Sequence, residues 1–232
     1  VLLTLERMGH LILPPRKNNS WNERRNKSVQ VLPVDDHPIS GKLADLPPIN
    51  ISLVRHIALE PLYNSLVHQY HYLGYRQIVG QHLKYMAFLR DRPVACIGWG
   101  SAAWAVKSRE TFIGWDKPTK EKNLAFVVNN TRFLILPWVN IKCLASKILA
   151  MNARRISEDW TAIYQQPVYL LETFVEKDRF LGTCYKAANW ICVGQTKGAS
   201  KRGHDHLVHG KVKDVFLYPL RKDFRERLKN GT

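Results

Sequence analysis

The 232-residue chain is longer than one typical domain, and its 45% hydrophobic and 10% aromatic content excludes a disordered or collagen-like polymer. Thirty-five Lys and Arg against nineteen Asp and Glu leave a formal net charge of +16, which favours polyanionic partners, with nucleic acid first among them. An acidic membrane surface or protein comes second; no uninterrupted apolar run of about 18 residues occurs, so a spanning helix is excluded, and no membrane is expected among the partners.

The N-terminal VLLTLERMGHLILPP has neither a basic leading segment nor a small-residue cleavage site, which predicts a soluble, cytoplasmic protein. The start at Val1, with no initiator methionine, leaves room for residues before it. Leu2, Leu3, Leu5 and Met8 space like one face of a short helix, stopped by Gly9 ahead of the apolar run Leu11 to Leu13. A helix, a glycine and a short strand match the end of a winged-helix unit. From Arg16 to about Asn50 the chain is rich in Pro, Asn, Ser and charge with no sustained period, the pattern of a linker. Arg16, Lys17, Arg24 and Arg25 make it a candidate phosphate-binding arm, and a solvated linker explains the same composition.

Compact alternation begins at Ile51: a strand to Arg55, a helix from Pro61 to Tyr72 closed by Gly74, then the runs Tyr85 to Leu89 and Val94 to Trp99 as a hairpin. A strand over Arg132 to Leu136 stops at Pro137. Ile141, Leu144, Ala145, Ile148 and Leu149 predict a helix to about Arg155, with Asp159 and Trp160 in a second helical piece. Val168 to Val175, Trp190 to Val193 and Val212 to Leu220 read as strands and Gly182 to Ala188 as a short helix. The expectation is therefore an α/β (α+β) domain, a mixed sheet flanked by helices. It occupies residues 51 to 221, after an appendage over 1 to 50 and before a basic tail over 222 to 232. Cys96, Cys143, Cys184 and Cys192 form no C-x-x-C pair and lie in apolar segments, the pattern of reduced core thiols.

Several residues suit acid and base chemistry. Glu172 interrupts an apolar strand, Tyr185 sits on the next helix, and His71 ends the first one. A cleft between these elements would hold a carboxylate, a phenol and an imidazole. Each also has a plain structural role: a carboxylate paired with an Arg, or a Tyr packed with its hydroxyl outward. His204, Asp205, His206 and His209 form an H-x-H-x-x-H cluster, but no cysteine lies near, and no metal is expected. The TKGASKR stretch, with Lys197, Lys201 and Arg202, reads as a loop able to follow phosphates. Residues 1 to 30 and 197 to 232 hold most of the excess charge, with six basic against two acidic and ten basic against four acidic residues.

The segments NNTRFLILPWVNIKCLASKIL, LLETFVEKDRFLGTCYKAANWICVGQTKG and VKDVFLYPL resemble the Druantia protein A family, a component of Druantia-type anti-phage systems also found with transposable elements. The resemblance covers roughly residues 51 to 221. It implies a defence-system or mobile-element protein, with nucleic acid and other defence subunits as partners. The order of elements is similar to that of the Gcn5-related N-acetyltransferases, in which Tyr185 would occupy the position of a general acid. This likeness implies an acetyltransferase-like cleft and an acyltransferase as the alternative function, a metal-dependent DNA-processing enzyme being a further one. In those enzymes a Gly-rich turn binds the pyrophosphate of acetyl-CoA. Here Lys142, Cys143, Leu144 and Ala145 fall in that turn and only Ala145 fits the pattern, so a Cβ at Cys143 is expected to crowd a phosphate. The cofactor, and whether the chain is an enzyme, stay open at this stage.

Overall fold

A computed structural model describes residues 2–13, 29–202, 205–208 and 210–230. The first half contains α1 (Leu2–Arg7), β1 (Ile39–Gly41), β2 (Ile49–Leu53), α2 (Glu60–Tyr70), β3 (His82–Leu89), β4 (Arg92–Ser101), α3 (Lys107–Ile113) and α4 (Lys117–Asn123). The second half contains β5 (Val127–Ile135), β6 (Val139–Ile141), α5 (Leu144–Tyr164), β7 (Leu170–Glu176), α6 (Thr183–Ala187), β8 (Ile191–Gln195), β9 (Ala199–Arg202), β10 (Asp205–Val208), β11 (Lys213–Pro219) and α7 (Phe224–Asn230). A seven-stranded mixed sheet in the order β2-β3-β4-β5-β7-β11-β8, with helices on both faces, is the α/β architecture expected from the alternation of elements.

The hairpin of β3 and β4 turns at Arg90, which takes a left-handed conformation (φ 53°). Both strands are buried almost throughout, because both faces of the sheet are covered. On one face α5 packs Leu144, Ile148, Ile156 and Trp160 against Tyr85, Ile97 and Trp99. On the other, α2 brings Tyr63, Leu66 and Val67 against Met86 and Cys96. A third core joins Ile113 of α3, Val215 and Leu217 of β11, and Phe224 and Leu228 of α7. The basic tail is thus a packed helix.

α5 runs as one helix of 21 residues rather than two pieces, because Ile156 and Trp160 continue the buried stripe begun by Leu144, Ile148 and Leu149. Of the four cysteines, which are all free, Cys96 alone is fully buried; Cys143 and Cys192 are exposed, correcting their expected place in the core. Apolar neighbours in sequence do not bury a residue that faces outward from an edge or a turn.

Part of the expected linker is packed onto the domain. The Leu32 N–H donates to Ser65 Oγ at 2.8 Å, Arg92 pairs with Asp35 at 2.8 Å, and β1 pairs in parallel with β6 (Ile39 with Val139, Gly41 with Ile141). At the N-terminus α1 forms, and residues 11–13 carry no strand. Arg16, Lys17, Arg24 and Arg25 lie outside the described residues.

Every neighbouring pair in the large sheet is antiparallel except β5 and β7, which are joined through the α5 crossover. Their parallel pairing lasts only from Val127–Leu170 to Asn130–Thr173. Beyond it β5 stays with β4 and β7 stays with β11, so the sheet opens along this seam.

Candidate functional site

The seam encloses a cavity of about 590 Å³, with Thr131 to Ile135 on one wall, Thr173 to Val175 on the other, and Ala145, Tyr185 and the loops after α2 and β7 around it. A volume of this size suits a small-molecule or single-nucleotide ligand.

Asn130 and Tyr185 form its apex. The buried Asn130 donates through Nδ2 to the carbonyls of Gly98 and Arg132, both at 3.0 Å, and its Oδ1 accepts from the Tyr185 hydroxyl at 2.7 Å. Tyr185 is held by Phe216, Trp190 and Phe133, ring to ring at 5.8, 5.2 and 6.1 Å. Burial pushes its phenol well above the ordinary range, so it keeps its proton at neutral pH. Gly182 starts α6 in a left-handed conformation (φ 65°), and a Cβ there would stand 2.7 Å from the Phe216 ring. Glycine is what lets this helix sit down on the sheet.

His71 caps the C-terminal end of α2 and also lines the cavity. Its Nδ1 accepts from the Leu73 N–H at 3.2 Å, and its ring stacks on Tyr72 at 4.8 Å. Burial, with the charge of Arg132 adding to it, pulls its pKa down to about 4, so the imidazole is neutral at pH 7. Half-buried Arg132 is fixed by donating to the carbonyls of Gly74 (3.2 Å) and Thr131 (2.7 Å). Lys213 lines the same cavity, and among the described residues no Asp or Glu does.

Glu172 stands apart from this group. Side chains alternate along β7, so Leu171 and Val175 join the α5 core while Glu172 faces the α3 side. There, fully buried, it accepts from Arg109 at 2.6 Å and from the Ala103 N–H at 2.7 Å. Burial raises its pKa and the Arg109 charge opposes the shift.

The turn before α5 differs from a glycine turn in sequence more than in shape. Cys143 is exposed and left-handed (φ 66°), the conformation glycine prefers, and no side chain caps the helix start. Leu144 turns into the core, Ala145 lines the cavity and Lys142 is exposed. The first N–H groups of α5 thus meet no side-chain acceptor, and the positive end of a long helix dipole stands beside the cleft.

Lys197 is exposed near the edge strand β8, apart from the cleft, and Lys201 and Arg202 lie on β9, paired with His206 and Asp205 of β10. Among the described residues no group of three or more His, Cys, Asp or Glu is placed to hold a metal, and His204 and His209 lie outside them. No helix among the described residues is long and apolar enough to cross a membrane. Residue-by-residue reading missed Asn130, Arg132 and Lys213. The one local signal was the polar pair Asn129–Asn130 ahead of an apolar strand.

A family model described as Druantia protein DruA matches residues 13–203. Among solved structures, Arabidopsis thaliana NAA60 in complex with acetyl-CoA aligns with a TM-score of 0.50 at 14% identity, over 74% of this chain and 98% of that one. A probable acetyltransferase from Staphylococcus epidermidis aligns at 0.46 and 12% identity, over 74% and 99%. The Arabidopsis likeness shows the fold, an acetyltransferase-like core. No curated protein matches the sequence.

Proposed function

This chain belongs to the Druantia protein DruA family, a component of anti-phage systems, and from that premise we propose that it serves such a system by binding nucleic acid. The observation that carries this reading is the make-up of the cleft: Arg132 and Lys213 in its wall, aromatic rings around it, and no carboxylate among the described residues. A net charge of +16 supplies the long-range attraction, concentrated towards the two ends of the chain. Arg16, Lys17, Arg24 and Arg25 on one side and Lys197, Lys201 and Arg202 on the other add phosphate contacts. In this reading Glu172 is a framework residue, since its charge is spent on Arg109 on the far side of the sheet. A cytoplasmic site of action, contact with other defence subunits and an association with mobile elements belong to the same proposal.

Fluorescence anisotropy with labelled single-stranded and duplex DNA tests it. Affinity falls steeply with salt, with a log–log slope of several units, as each neutralised phosphate contributes about −0.7 to −0.9. Absence of binding to both forms at about 50 mM salt removes the proposal.

A second reading, acyl transfer, rests on the uncapped start of α5. The backbone N–H groups of Leu144, Ala145 and Ser146, with exposed Lys142 and Lys147 beside them, fit the pyrophosphate of acetyl-CoA. That cofactor, when bound, supplies an activated acyl thioester. Tyr185 keeps its proton at the apex of the cleft, and in this reading its hydroxyl turns from Asn130 Oδ1 to protonate a leaving group. This reading ranks second because no carboxylate among the described residues lines the cleft and His71 is too weak a base at neutral pH. Calorimetric binding of acetyl-CoA, strengthened in Cys143→Gly, would move it to first place.

A further inference from the structure

The mouth of the cleft exposes an unusual amount of apolar surface. Tyr70, Tyr72, Leu73, Phe180 and Leu181 line it and are 36, 37, 42, 45 and 76% exposed. They come from the last residue of α2 and the loop after it and from the loop after β7, which meet where the Tyr72 and Phe180 rings touch edge to face at 5.2 Å. The guanidinium of Arg179 lies 4.8 Å from the centre of the Tyr72 ring. Arg132, Arg179 and Lys213 make no ion pair with a carboxylate among the described residues. Glu176 is the register partner of Lys213 across β7 and β11, and Lys211 stands 3.8 Å from it.

Rings exposed at a rim that also carries unneutralised cations match a ligand with both a flat apolar face and negative charge. An unpaired nucleotide has both. A base inside a duplex has its faces covered by its neighbours and offers only phosphates and groove edges.

We infer that this rim is a stacking site for an unpaired base of a single-stranded nucleic acid. The base rests on Phe180 and the edge of Tyr72, and the flanking phosphates meet Arg179, Arg132 and Lys213. The inference rests on the nucleic-acid reading above and narrows it to one ligand form.

The test measures binding of the full chain to a labelled single strand and to its abasic counterpart, which keeps sugars and phosphates and lacks bases. The single strand binds at least about 5-fold tighter. Phe180→Ala and Tyr72→Ala, at positions exposed enough to leave folding intact, each weaken single-strand binding by about 5- to 150-fold, the range of one stacked base. Phe180→Ala keeps its affinity for the abasic strand within about twofold, since its phosphate contacts are untouched, and Tyr72→Ala, which also removes the ring beside Arg179, loses less on the abasic strand than on the single strand. Equal affinity of the wild-type chain for both strands overturns the stacking site and leaves phosphate binding standing. Equal losses on both strands in the variants overturn it too. No binding to either strand overturns the stacking site, and the duplex arm of the anisotropy measurement then decides the nucleic-acid reading.

Discussion

The Tyr185 hydroxyl donates to Asn130 Oδ1 at 2.7 Å, at the residue pair where β5 and β7 part company. Asn130 faces a buried site with all its polar atoms engaged, so losing the hydroxyl leaves an acceptor without a partner. Tyr185→Phe lowers stability by about 1–2 kcal/mol, and Asn130→Ala, which removes three hydrogen bonds, lowers it by more. Urea unfolding of the two variants and their combination measures the coupling. A double variant whose loss equals the sum of the single losses would show the pair to be independent.

The buried Arg109–Glu172 pair behaves differently from its components. Glu172→Leu leaves the buried guanidinium only the looser Glu110 pair at 3.7 Å and the Ala103 carbonyl and costs about 3 kcal/mol, whereas Arg109→Met combined with Glu172→Leu recovers much of that loss. Thermal unfolding of the single and double variants decides this. A double variant less stable than Glu172→Leu would contradict the assignment.

His71 makes stability depend on pH. Its folded pKa of about 4 lies below the ordinary 6.5, so the unfolded chain takes up the proton first as the solution is acidified. The contribution is complete above pH 6.5 and is lost as pH falls through about 4. Partial exposure of the ring reduces its size to about 1–2 kcal/mol. His71→Gln keeps an acceptor for the Leu73 N–H without titrating. The difference between wild type and variant in urea midpoint, taken at pH 7.5 and again near pH 4, isolates this part from the protonation of carboxylates.

Two left-handed positions respond in opposite ways. Gly182→Ala places a Cβ 2.7 Å from the Phe216 ring at φ 65° and costs about 2–4 kcal/mol, from the backbone penalty plus overpacking. Cys143→Gly relieves a similar backbone at an exposed site and raises stability by up to about 1 kcal/mol, while Cys143→Ile lowers it. Melting temperatures of the three variants test the pair of statements together.

Much of the fold was legible because its core strands obey simple patterns. The Tyr85 to Leu89 and Val94 to Trp99 runs are both in the sheet, and the helical stripe from Leu144 is α5. Boundaries failed where polar residues are buried: β5 begins at Val127, ahead of Asn129 and Asn130, and not at Arg132. α4, with the sequence KPTKEKN, has no apolar stripe to reveal it, since Lys120 and Asn123 are its buried residues. β1 and β6 have three residues each, too few for a period. Tyr185 and His71 were legible as cleft residues from the order of elements. The rim was not, because Tyr72 and Phe180 meet through two loops 108 positions apart, a proximity no local pattern encodes.

The short parallel rungs of β1 on β6 tie the incoming N-terminal chain to residues 139–141, only two positions from Cys143. They lie outside the large sheet, so a pull on the chain ahead of Ile39 reaches the start of α5 as well as Ser65 of α2 and Arg92 of β4, which hold Leu32 and Asp35. Whatever the N-terminal region grips is therefore connected to the helix end beside the cleft by a direct tether. The two contacts lie about a hundred residues apart in sequence, so this tether closes late in folding, once the central strands have already assembled.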